Sequence, residues 1–261
     1  MKHFSDLIEY LESNHHYAQV DEMMKVALDM TDVLRPDNVL GTGAAGSFYA
    51  DFDQNEKGQL KDKLGKLPEN VGFKQYHVVD DVDIAETLSY IYIAPYINQN
   101  TDLKTPVYRG EISLSGIISN KIMPMQKMEG VSVEYLEDQL SWNRVDMVCI
   151  DAEERILRKL NKINVNWNDS HEDNFMLDKR RCDEFITSWK QASQESQIFM
   201  ETFIQSFDIT VGASLFDFGS MSVGITTPPG QALLKFGDKI DRLQDGWLTK
   251  QIKTAIGLIL H

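Results

Sequence analysis

Three short constellations in this 261-residue chain carry residue types that could do chemistry. The first is Gly41-Thr42-Gly43-Ala44-Ala45-Gly46, followed by Ser47. Glycines at this spacing let a backbone turn tightly and approach phosphate oxygens with no Cβ in the way. Because Ser47-Phe48-Tyr49-Ala50-Asp51-Phe52 suits a returning strand, the motif reads as a strand–loop–strand hairpin. A surface turn rich in glycine would match it equally well. The second is Asp169-Ser170-His171-Glu172-Asp173-Asn174, in which a carboxylate and an amide stand five apart. One can orient a hydroxyl nucleophile while the other's oxygen holds a divalent cation. The bland counterpart is a polar surface loop built on an Asx turn. The third is Asp217-Phe218-Gly219, which means little alone and gains value from its order after the other two.

These groups need elements to place them. Asn38–Leu40 is a short strand candidate leading into the glycine motif, and Asn55-Glu56-Lys57-Gly58 has turn chemistry, with a charged loop over 59–72. Tyr76–Val79 reads as a strand and Asp83–Ala94 as a helix, with Ile84, Leu88, Ile91 and Tyr92 at helical spacing. Further strands are expected at 107–114 and 117–123, helices at 132–141 and 145–161, and a strand pair around 175–187. A helix at 193–206, alternating apolar residues at 209–217 and a helical end from about 231 complete the chain. Residues 4–12 and about 20–34 pattern as a helical hairpin closed by Arg35-Pro36. Strands gather in the first half and helices in the second, which describes an α+β chain with two lobes. The division expected is a hairpin at 1–35, a β-rich lobe at 36–128 and a helical lobe at 129–261.

Composition narrows the function classes. With 42% hydrophobic residues and 10% aromatics the chain can build a core, and its size allows one large domain or two small lobes. A net charge of −14 argues against broad nucleic-acid binding, which needs a basic surface. Cys149 and Cys182 are not at zinc or disulfide-framework spacing, and the charged start does not resemble a signal peptide. No apolar run approaches the ~20 residues of a membrane helix. The expectation is a soluble, cytoplasmic protein without a membrane partner.

In combination, the motifs resemble the protein-kinase and aminoglycoside-phosphotransferase superfamily, particularly the small divergent kinase-like proteins of phages and large viruses. The likeness spans roughly residues 38–219. It takes in the glycine loop, a hinge at Ile122–Gly130, the helix ending near Leu160, and Asp169-x-His171-x-x-Asn174. It implies a two-lobed kinase-like fold behind the helical hairpin, and an ATP- and magnesium-dependent phosphotransferase located in the host cytoplasm if viral. The implied roles are catalytic base for Asp169, and magnesium ligands for Asn174 and Asp217. Gly41, Gly43, Gly46, Ser47, Glu86 and Met128 would bind nucleotide, and the acceptor would be a protein hydroxyl or a small molecule. In such a site Glu86 partners a lysine, for which Lys61, Lys63 and Lys74 are eligible. Asn174 and Asp217 lie 43 residues apart (217 − 174), where a strand hairpin would put a carboxylate near Thr187-Ser188-Trp189. Either a helix is inserted before Asp217, or the metal aspartate is lost and the chain is a pseudokinase.

Two other classes compete. A nucleotidyltransferase needs a Gly-Ser pair, an Asp-x-Asp strand and a third carboxylate converging on two magnesium ions. Gly46-Ser47, then Asp81-Val82-Asp83, then Asp208 occur in that order. The plain alternative for Asp81 and Asp83 is a helix N-terminus, where carboxylates suit the dipole. A non-catalytic viral structural or interaction protein is the third reading, with the N-terminal helices as its contact surface. Tyr108-Arg109-Gly110-Glu111 and the histidines at 15, 16 and 171 lack the companions that would make them sites.

Overall fold

The computed structural model describes residues 34–42, 46–64, 71–77, 81–106, 122–195, 199–242 and 247–261. The hairpin expected at 1–35 falls almost wholly outside them, as do the strand at 107–114, most of that at 117–123, and Gly43. The described chain is mixed α+β, with eight strands in small antiparallel sheets and seven α-helices.

The largest sheet holds four strands in sequence order: β1 (Val39–Thr42), β2 (Gly46–Tyr49), β3 (Val71–Tyr76) and β4 (Ile122–Gln126). β1 and β2 form a hairpin with Thr42 opposite Ser47, and Lys74 of β3 faces Phe48 on one side and Met123 on the other. Between β2 and β3 lies α1 (Gln54–Leu64), where a turn at 55–58 and a loop beyond it were expected. The cause is a reciprocal cap. The Glu56 amide donates to Asp53 Oδ1 at 2.8 Å, and the Asp53 amide donates to Glu56 Oε2 at 2.8 Å. That capping outweighs the helix-breaking tendency of Gly58.

α2 (Asp81–Asn100) begins two residues earlier than its periodicity suggested and continues through Pro95 to Asn100. It is buried on nearly every side, as expected of a helix that is apolar around most of its circumference. A 3-10 turn at Val133–Leu136 replaces the helix expected at 132–141, and α3 (Trp142–Lys162) follows. The chain then forms β5 (Val165–Trp167) and β6 (Phe175–Met176).

The strand pair expected around 175–187 is absent: β6 gives way at once to α4 (Lys179–Glu195) and then α5 (Met200–Ser206). Cys182, Phe185, Ile186 and Trp189 are buried at helical spacing, and the Arg181 amide donates to Asp178 Oδ1 at 3.2 Å to start the first turn. Only after this excursion does β7 (Ser214–Leu215) pair with β6, and β8 (Met221–Val223) with β5. α6 (Pro228–Asp241) and α7 (Trp247–Ile259) close the chain. α7 packs against both α2 and α6, and one continuous apolar core runs from Tyr76 and α2 to Ile259.

Candidate functional site

Strand alternation fixes the site's cation. Phe73 is fully buried on one face of β3, and Lys74 turns to the other, toward α2. Its Nζ donates to both oxygens of Glu86, at 2.5 and 2.6 Å. The pair is well shielded: the Lys74 side chain is 14% exposed and that of Glu86 is 2% exposed. Of the three eligible lysines, Lys74 is therefore the one that Glu86 partners. Burial and the nearby Asp217 charge raise the pKa of the Glu86 carboxyl, against the opposing pull of Lys74. The pair stands at the edge of an apolar interior, where charges interact strongly.

One turn further along α2, Tyr90 is 2% exposed, and its hydroxyl accepts from the Asp217 amide at 3.1 Å. Its ring rests on Phe218, with centroids 4.5 Å apart. Asp217 itself has φ of 64°, a left-handed backbone that costs a non-glycine residue about 1 kcal/mol or more. Side chains and turn hydrogen bonds hold it there. Its carbonyl accepts from Trp167 Nε1 at 3.3 Å, and its Oδ1 accepts from the Gly219 amide at 3.3 Å.

Two loops meet at this point. The Asp169 amide donates to Ser220 Oγ at 2.9 Å, and the Phe216 amide donates to the Asn174 carbonyl at 3.0 Å. Asn174 is 6% exposed, and its Nδ2 is spent on the Asp169 carbonyl (2.9 Å) and His171 Nε2 (2.8 Å). Both contacts lie within the 169–174 loop. Asp169 is exposed. The loops carrying Asp169, Asn174 and Asp217 are thus stitched together, and α2 ties them to Lys74. The inserted α4 and α5 account for the long spacing before Asp217, and Thr187-Ser188-Trp189 lies inside α4.

The glycine motif divides. Gly46 opens β2, and a Cβ there would stand 2.2 Å from the Gln75 carbonyl oxygen, so neighbouring strand β3 demands glycine. Gly41 is exposed, with nothing within 4 Å of such a Cβ. Ser47 Oγ and Thr42 Oγ1 share a hydrogen bond of 3.1 Å across the hairpin. Met128 is half-buried after β4, next to Lys127, whose Nζ pairs with Asp51 at 2.6 Å.

The rival carboxylates are placed differently. Asp81 and Asp83 lie on the first turn of helix α2, not on a strand as a nucleotidyltransferase requires. Asp208 accepts from Thr210 Oγ1 at 2.6 Å and pairs with Lys159 at 3.0 Å. Among the described residues, no group of three or more His, Cys, Asp or Glu side chains is placed to hold a metal ion. Residue types and spacing did not single out Tyr90 or Trp167. Their signals were present: Tyr90 stands four after Glu86 on a helix, and Trp167 two before Asp169.

No protein-family model matches this chain, and no curated protein matches it. No helix of the described residues is long and apolar enough to cross a membrane.

Proposed function

We propose that the chain is a phosphotransferase of two-lobed, kinase-like architecture that uses ATP and magnesium. The observation that carries the proposal is the shielded Lys74–Glu86 pair, joined through α2 to the Asp217 backbone. A sheet lysine paired to a helix glutamate is the arrangement by which kinases hold nucleotide phosphates. Asn174 Oδ1 and the Asp217 carboxylate suit magnesium, which takes one or two carboxylates and completes its shell with water and phosphate oxygens rather than an all-protein cage. When bound, magnesium-ATP supplies the phosphoryl group and neutralises charge developing on it.

The residues divide the remaining work. Lys74 would hold phosphate oxygens, beside β2, which pairs with the strand that carries it. Asp169 accepts the acceptor's hydroxyl proton as that oxygen attacks, giving ADP and a phosphoester. Phosphoryl transfer needs little covalent help, so positioning and electrostatics dominate. The helical placement of Asp81 and Asp83 speaks against the nucleotidyltransferase alternative.

Calorimetric titration and thermal shift with ATP, with and without magnesium, test the proposal. Saturating ligand at about 100 times its Kd stabilises a binding-competent protein by about 2.7 kcal/mol. Wild type should show this gain, and Lys74→Met should lose most of it. Wild type that neither binds nor is stabilised would overturn the assignment and leave the interaction-protein reading.

A further inference from the structure

We infer that Tyr90 is a positioning residue: its hydroxyl holds the backbone of Asp217 to the helix that carries Glu86, so that the lysine pair and the metal-binding aspartate are set together. The inference rests on the phosphotransferase reading for its functional meaning, although the link itself is a matter of geometry.

A buried aromatic ring against Phe218 would serve equally well as phenylalanine. The hydroxyl is what distinguishes this side chain. It accepts from the Asp217 amide at 3.1 Å, and Glu86 stands four residues earlier on the same helical face. Glu86 in turn is engaged by Lys74. Helix α2 therefore joins the Lys74–Glu86 pair to the Tyr90 hydroxyl and the Asp217 amide, and Trp167 Nε1 closes the far side on the Asp217 carbonyl. Asp217 adopts its left-handed backbone with both peptide groups engaged by shielded side chains. A displacement of α2 that breaks the lysine pair would also remove the acceptor of the Asp217 amide.

Tyr90→Phe keeps the ring and deletes the link. Hydrogen exchange at the Asp217 amide, followed without nucleotide, reports the link directly. It should quicken by about tenfold or more in Tyr90→Phe. In the presence of ATP, the magnesium concentration at half-maximal stabilisation should rise about tenfold in Tyr90→Phe. Stabilisation by ATP alone should stay as in wild type, a split that general loosening would not produce. Exchange at Asp217 unchanged in Tyr90→Phe would overturn the inference. So would an unchanged magnesium midpoint. If wild type shows no response to ATP while the exchange result holds, the phosphotransferase reading fails and the structural link stands.

Discussion

At the scale of single residues, environment decides which groups are reactive. The Cys149 thiol is pushed up to about 12 by burial and by Glu172 and Glu153, and Cys182 reaches about 12 by burial beside Asp183 and Asp178. Thiolate is the nucleophile, so both should resist alkylation at neutral pH. Mass spectrometry after iodoacetamide should find the native protein unmodified and the denatured protein modified at both cysteines. Asp208 shows the opposite shift. Burial alone would raise it, but Thr210 and Lys159 outweigh burial and lower its pKa. A carboxyl lowered in the folded state adds stability above its unfolded pKa, and this is lost as pH falls through the folded value. Taken from about pH 5 to about pH 3, wild type should therefore lose more stability than Asp208→Asn in denaturant titrations. Glu86 has the reverse sign, since its raised pKa adds stability at low pH that is lost as pH rises through the folded value.

At the scale of elements, two glycines mark the contrast between a required and a tolerated residue. Gly46→Ala would press a methyl against the Gln75 carbonyl and should cost about 1–3 kcal/mol. Gly58, exposed inside α1 with nothing within 4 Å of an added Cβ, should gain about 0.5–1 kcal/mol as alanine. Thermal unfolding of both variants checks the two signs. The same glycine shows why the sequence was only partly legible. Gly58 beside Asn55 signalled a turn, while the Asp53-x-x-Glu56 cap that overrides it is equally visible in the sequence. Likewise, strand propensity at 183–187 concealed the spacing of Cys182, Phe185, Ile186 and Trp189, which tertiary burial makes helical. Helices α2 and α3 were readable because their apolar periodicity is long. Asp169, Asn174 and Asp217 were readable as motifs, but their juxtaposition depends on β6 pairing with β7 across an inserted helical pair. Lys74 could not be separated from Lys61 and Lys63 without the register of β3.

For the whole molecule, the decisive feature is that α2 serves two masters. It carries Glu86 toward the sheet and buries its other faces against α6, α7 and β8. The described C-terminal segment is tied in further, because the His261 amide donates to the Val223 carbonyl at 3.2 Å and the Ile225 amide donates to the His261 carbonyl at 3.0 Å. Anything that loosens α7 must then reach the lysine pair through α2. Ile252 is 1% exposed on α7, within the continuous core. Ile252→Ala should cost about 2–5 kcal/mol, the range for removing a buried aliphatic side chain. A core shared by the sheet side and the helical side predicts one cooperative transition, followed alike by far-ultraviolet circular dichroism and tryptophan fluorescence. In Ile252→Ala both probes should shift together and by the same amount. Two separated transitions, with only one moved by the substitution, would mean that the sheet and the helical region unfold independently. Coincident transitions would mean that the C-terminal helices stabilise the position of Glu86 as well as their own packing.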